Sequence, residues 1–473
     1  MLTLALLVLT GSVQEPVAYP TAESIGGDYG AVVGRILAAA EAENMAFRKL
    51  AQLCDGIGPR LSGSKGAERA VQWTAQRMQR DGLDVRLEEV TVPVWVRGEE
   101  RAWLSAPRSQ ELVVTALGGS IATPEAGLEA DVVVVGGWDE LKALGREGVE
   151  GRIVVYDVPM DPPTRRGSSY GRVVAFRSRG AVEAAKLGAV AALNRSPGTS
   201  RLRIAHTGQM RYEDGVPKIP AAAISHEDAE LLHRLQDSGA GPRVRLLLTC
   251  RSEPDKISHN VIGELRGREK PDEIVVLGAH LDSWDLGTGA FDDGAGCVMM
   301  MEAAAILKRG GITPRRTIRV VLYMNEENGL RGATAYAADH ADEVANHVAA
   351  IEADSGPDDP HGFSCGGNDR AVAEATAIVG LLGSVGFDTL KGGGGGGADI
   401  GTITRLGVPG FGLMTDVTRY FDYHHNAADT LDKVRPADLK RGAAGLAAFA
   451  YVLADMPERL GGPRTPDATG ESR

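Results

Sequence analysis

Two histidines and a group of acidic residues in the second half of the chain could do chemistry together. They are His280-Leu281-Asp282, Asp292-Asp293-Gly294, Glu326-Glu327, Asp354, and His425 within His424-His425-Asn426. Imidazole nitrogen and carboxylate oxygen both bind zinc, at ~2.0–2.2 Å. Two metals about 3.5–4 Å apart can share one carboxylate. A shared carboxylate, with one histidine and one further carboxylate per metal, makes a five-ligand set, and these residues supply it. Each metal then keeps room for water and substrate, as a catalytic site requires. The adjacent pairs leave choices open at this level. Glu326 and Glu327 repel each other unless a cation lies between them, and as neighbours they point in different directions. Asp292 and Asp293 also suit the cap and first turn of a helix. Residue chemistry alone does not separate His424 from His425.

Strand–helix alternation after Ile257 supplies the elements that would position these groups. The spacing predicts strands at 274–277, 317–323, 348–351 and 409–414, and helices at 294–307, 332–340, 371–382 and 437–453. Short apolar runs without alternation suit strands buried on both faces. The fold class expected is α/β, a mostly parallel central sheet with helices on both faces. His280 follows one strand directly, Glu326 and Asp354 follow two others, and His425 lies beyond the last. The carboxyl ends of such strands are where open α/β sheets bind ligands. Upstream, residues 28–55 read as one amphipathic helix, 67–80 as a second and 85–96 as an alternating strand. Between them and Ile257 the texture is of short apolar runs parted by glycine-rich turns, which predicts an inserted, mostly β unit over residues 115–253.

These segments resemble the metal-binding motifs of the co-catalytic dizinc exopeptidases. The closest match is to their carboxypeptidase Q (plasma glutamate carboxypeptidase) branch. The run from His280 through Asp292 to Gly296, Glu326-Glu327-Asn328-Gly329-Leu330, Glu352-Ala353-Asp354-Ser355-Gly356 and His425-Asn426-Ala427-Ala428-Asp429-Thr430 carry the resemblance in order. Gly58-Pro59-Arg60-Leu61-Ser62-Gly63-Ser64 is similar to the family's N-terminal part, and the middle region to its protease-associated domain. The resemblance spans most of residues 30–455. It implies two Zn2+ per chain, with Asp292 bridging, His280 and Asp354 on one ion, and Glu327 and His425 on the other. Glu326 is implied as general base, a task that needs a pKa near the operating pH. Asp282 is expected to hold the ring of His280 from behind, with Asp293 and His424 as further supporting residues. The implied substrates are dipeptides or short peptides with a free amino terminus, and the implied assembly is a homodimer. Two rival readings stay open: a non-catalytic receptor on the same scaffold, and a single-zinc transferase of the glutaminyl cyclase kind.

The remaining features bound the problem. A chain of 473 residues exceeds one ordinary core. The expected division is a signal peptide over 1–20, an N-terminal part of the catalytic domain over 21–114, the insert, a catalytic domain over 254–457 and a disordered tail over 458–473. A formal net charge of -12 argues against a nucleic-acid partner. The run Leu2–Leu9 resembles the apolar stretch of a signal peptide and is too short to span a bilayer. Secretion or export to a periplasm is expected, with no membrane attachment after cleavage. Cys54, Cys250, Cys297 and Cys365 are scattered, which suits free buried thiols rather than a zinc knuckle. Six consecutive glycines, Gly392–Gly397, are expected to form a loop at the rim of the substrate cleft. Neither a Gly-x-Ser-x-Gly elbow with a credible triad nor a His-Glu-x-x-His helix is present.

Overall fold

The apolar runs become the inner strands of an eight-stranded sheet. In the computed structural model, which describes residues 22–165 and 167–462, its strands are β1 (Asp84–Val96), β2 (Arg251–Leu265), β3 (Lys270–His280), β4 (Arg316–Tyr323), β5 (His347–Glu352), β6 (Gly362–Gly366), β7 (Thr389–Gly392) and β8 (Gly410–Met414). Their spatial order is β1-β2-β4-β3-β5-β8-β6-β7. The signal-like segment 1–20 and the tail beyond 462 lie outside the described residues. Strands β4, β3, β5 and β8 run parallel to one another, whereas β1, β2 and β6 pair antiparallel with their inner neighbours. The sheet is therefore mixed, with a parallel centre and antiparallel flanks, not parallel nearly throughout. Pro93 lies where the β1–β2 register shifts, between Val92 and Val94. A residue without an N–H is tolerated at an edge or bulge.

Helices cover both faces, as expected. On one face the helices Ala22–Ala42, Ala46–Cys54, Ala295–Arg309 and Pro436–Asp455 pack into a single core with the sheet. The helix Ala295–Arg309 is buried from Ala295 to Leu307, so it is apolar nearly all round. On the other face Ala333, Tyr336, Ile400 and Ile403 close over Val276, Val321 and Tyr323. The long helix expected over 28–55 is two helices with a break at residues 43–45. Asn44 makes the break: its side-chain oxygen accepts the N–H of Ala46 at 3.1 Å and its amide donates to Lys440 O at 3.2 Å. Such local side-chain bonds compete with helix continuation.

A second eight-stranded sheet is built from residues 100–248. It has more helix than a mostly β unit would carry. Its strands Leu128–Val135, Ile153–Tyr156, Ala191–Arg195 and Ala221–Ile224 are successive parallel neighbours. Parallel neighbours need a crossover, and the helices Trp138–Val149 and Tyr170–Lys186 provide two of them. The chain enters this unit from β1 and leaves through β2, which pair along nearly their whole length. All four cysteines are free and buried. Residues 458–462, expected to begin a loose tail, are held by Arg370–Glu458 and Arg459–Glu273 ion pairs and by burial of Leu460. Among the described residues no helix is long and apolar enough to cross a membrane.

Candidate metal centre

Three neighbouring strand ends and the loops beyond them converge on one spot. His280 is the last residue of β3, Glu326 and Glu327 lie just past β4, and Asp354 lies two residues past β5. Asp292 stands on the turn before the helix Ala295–Arg309, and His425 follows the short helix Tyr420–Tyr423. The carboxylate of Asp292 sits between the two histidines. Its Oδ1 is 3.1 Å from His280 Nε2 and its Oδ2 is 3.2 Å from His425 Nε2. Asp354 Oδ1 approaches His280 Nε2 at 3.5 Å, and Glu327 Oε2 approaches His425 Nε2 at 3.0 Å. The five sequence-predicted ligands are thus one cluster with Asp292 at its centre.

The donor set fits cations. Asp292, Asp293 and Glu327 are buried and Glu326 is half-buried, yet among the described residues none pairs with Lys or Arg. Buried carboxylates without countercharge are costly unless they coordinate metal. His280, Asp292 and Asp354 offer ligand atoms all within 4.8 Å of one another. Asp292, His424 and His425 do the same. Burial, reinforced by Asp354, Glu327 and Asp292, pushes the pKa of Glu326 well above the usual carboxylate range.

The supporting residues divide their work differently from the simplest expectation. The Nδ1 of His280 lies 3.0 Å from the backbone carbonyl of Asp282, and the Asp282 carboxylate is no nearer than 4.0 Å to that nitrogen. That carboxylate instead accepts the N–H groups of Asn325 and Glu326, at 2.7 and 3.1 Å, and the Ser62 hydroxyl at 3.0 Å. It therefore holds the Glu326 turn, where Asn325 has a positive φ of 73°. Asp293 accepts the N–H of His280 at 3.2 Å and of Gly296 at 3.1 Å. His424 stacks on His425 with ring centroids 3.6 Å apart, and its Nε2 is 3.6 Å from Asp292 Oδ2.

Several contributors escaped residue-by-residue reading. Asp429 accepts three successive N–H groups, from Ala290, Phe291 and Asp292, at 2.8, 2.7 and 3.2 Å. It ties the His425 loop to the central ligand. Arg60 is fully buried and donates to the carbonyls of Leu281, Thr288 and Gly289, at 2.9, 2.6 and 3.0 Å. It clamps both ends of the loop between His280 and Asp292. Both residues lie inside motifs visible in the sequence. Thr207 and Arg177 carried no such signal. The Thr207 carbonyl lies 3.3 Å from His425 Nδ1, its N–H donates to His425 O at 2.8 Å, and Arg177 Nη1 is 3.2 Å from the same Nδ1.

Comparison with known proteins places this geometry in a family. The profile of peptidase family M28 matches residues 260–450. Carboxypeptidase Q of Homo sapiens is 39% identical over 435 residues, covering 92% of this chain and 90% of that protein. The chain belongs to peptidase family M28. The crystal structure of a peptidase M28 precursor from Shewanella amazonensis superposes with a TM-score of 0.88 at 40% identity, over 92% of this chain and 99% of that one. A zinc aminopeptidase from Bacillus subtilis shares the fold, with a TM-score of 0.64 at 21% identity over 88% of this chain and 96% of that one. Membership of this family makes the chain a metallopeptidase homologue, and the cluster around Asp292 lies within the matched residues.

Proposed function

We propose that this protein is a zinc exopeptidase that hydrolyses dipeptides or removes N-terminal residues from short peptides. The carrying observation is the Asp292 carboxylate set between His280 and His425, with a further carboxylate beside each ring and, among the described residues, no Lys or Arg paired with any of the three carboxylates. In this reading His280, Asp292 and Asp354 hold one Zn2+, and Asp292, Glu327 and His425 hold the other. When bound, the two ions would supply Lewis acidity to a water and to the scissile carbonyl.

Glu326 is the proton carrier in this reading. Its carboxylate takes the proton from the attacking water and delivers it to the nitrogen of the departing amine. A single carboxylate in place serves both halves of that transfer. Asp282 fixes where Glu326 starts, because it anchors the backbone of Asn325 and Glu326. The unit built on the second sheet corresponds in this reading to a protease-associated insert, and export from the cytoplasm goes with it.

The test is metal analysis together with a panel of free and amino-blocked dipeptides, for wild type and Glu326→Gln. We expect two zinc ions in each protein, hydrolysis only of free dipeptides, and a loss of roughly 10²–10⁴-fold in kcat for the variant. A Glu326→Gln enzyme of near-normal rate removes Glu326 from the role of base. One ion per chain removes the paired-metal reading.

A further inference from the structure

The sheet beside Asp354 carries a row of four residues in register. Glu352 on β5 pairs with Gly412 on β8, Gly412 with Ser364 on β6, and Ser364 with Lys391 on β7. Residues opposite one another on adjacent strands point to the same face of a sheet. All four line one cavity of about 230 Å³ that also includes Asp354. Glycine at 412 carries no side chain in the middle of the row, and the Ser364 hydroxyl stands in that place, accepting the Gly412 N–H at 3.1 Å. Gly397, from the glycine run, closes over the inner end, where an added Cβ would come within 2.0 Å of Glu352 Oε1.

Burial gives this cavity a direction. Glu352 is 1% exposed and takes the backbone N–H of Ile400 at 2.7 Å, so the inner end is fixed and acidic. Lys391 is exposed at the mouth, and among the described residues it has no ion-pair partner. Arg165 also lines the mouth, but Asp359 engages it at 2.6 Å. Among the described residues that line the cavity, Lys391 is thus the cation without a carboxylate partner, at the opposite end of the row from Glu352 and Asp354.

We infer that this cavity seats an amino-terminal residue with an acidic side chain, aspartyl or glutamyl, whose carboxylate is received by Lys391. The inference rests on the exopeptidase reading and names its substrate class. An amino-terminal acidic residue carries a cation and an anion separated by a short aliphatic stem. Its ammonium faces Asp354, its scissile carbonyl faces the metal ligands, and its side-chain carboxylate extends past Ser364 toward Lys391. Lysine suits this end because its flexible stem can follow either side-chain length.

The experiment compares Glu-Ala with its neutral isostere Gln-Ala by the ratio of kcat/KM, and adds Lys-Ala, Ala-Glu and Ala-Gln. For the wild type we expect Glu-Ala to be favoured over Gln-Ala by roughly two- to fivefold, the worth of an ion pair at an exposed lysine. Lys391→Ala brings that ratio to about one, and Lys391→Glu inverts it so that Lys-Ala becomes the better substrate. The exposure of Lys391 keeps both variants folded, which circular dichroism checks. A wild-type ratio near one, or a ratio that Lys391→Glu leaves alone, overturns the inference while the exopeptidase reading stands. So does a preference for Ala-Glu over Ala-Gln that depends on Lys391, because the acidic group would then be on the other side of the scissile bond. Failure to hydrolyse any free dipeptide removes the exopeptidase reading, and this inference with it.

Discussion

The two halves of the proposed metal centre are braced from different places. The His280 half is supported from within the catalytic sheet and its N-terminal approach: Arg60 clamps the loop after His280, Ser62 meets Asp282, and Asp293 takes the His280 N–H. The His425 half leans on the second unit, through the Thr207 backbone, Arg177 and the Tyr170 ring, which lies edge-on to His424 at 5.0 Å. Trp284, whose backbone N–H donates to Glu327 Oε1 at 3.3 Å, is itself buried in the core of that second unit. One half is thus local to the strands that bear it, and the other is a joint between two sheets. The lesson is that a second unit can be part of a metal site without contributing a ligand.

The comparison can be broken by removing one brace at a time and titrating metal. The largest effect is expected from Arg60→Met, which strips four carbonyls of a buried charged donor. Each buried carbonyl left unpaired costs about 1–3 kcal/mol, read as a lower denaturant midpoint. Because Arg60 holds both ends of the loop leading to the shared Asp292, both metals should bind more weakly. Arg177→Met should act on one half only, weakening the ion at His425 by roughly 10–100-fold and sparing the other. Stepwise calorimetric titration distinguishes the two patterns. Equal weakening of both ions in Arg177→Met would erase the distinction between the halves.

The smallest effect calibrates the others from a remote position. His340 lies between Glu343 and Glu88, at 2.7 and 3.1 Å. Burial opposes charge on its ring, but these carboxylates outweigh it and raise its pKa to about 9. The unfolded value is about 6.5. A raised folded pKa means that this contribution is complete below pH 6.5 and disappears as pH rises through about 9. Thermal melts should fall across that window, and His340→Gln should flatten the fall while leaving both metal affinities alone. A metal affinity that follows this pH-dependent loss would show that general loosening, not a half-specific brace, governs the site.

The proposed ligands His280, Glu327 and Asp354 could be picked out in the sequence because each follows a buried strand at its carboxyl end. Asp292 and His425 could be chosen over their neighbours only through the family resemblance, since residue type alone left both pairs open. The antiparallel flanks of the sheet were not legible, because strand direction depends on partners distant in the chain. Arg177 and Thr207 were illegible for the same reason, lying 248 and 218 residues from His425. The break in the first long helix depended on Asn44 finding Lys440, 396 residues away.

Entry to and exit from the second unit run side by side, as the paired strands β1 and β2. Such a stem behaves as a single graft point. Cutting across it and joining the stumps with a tight turn would remove the whole outlying body while the main sheet kept its strand order. The pruned protein should still capture an ion at His280 and yet hold His425 without its backing. A scaffold of this design can gain or shed an entire body in one event, with the cost falling on one half of its proposed metal centre.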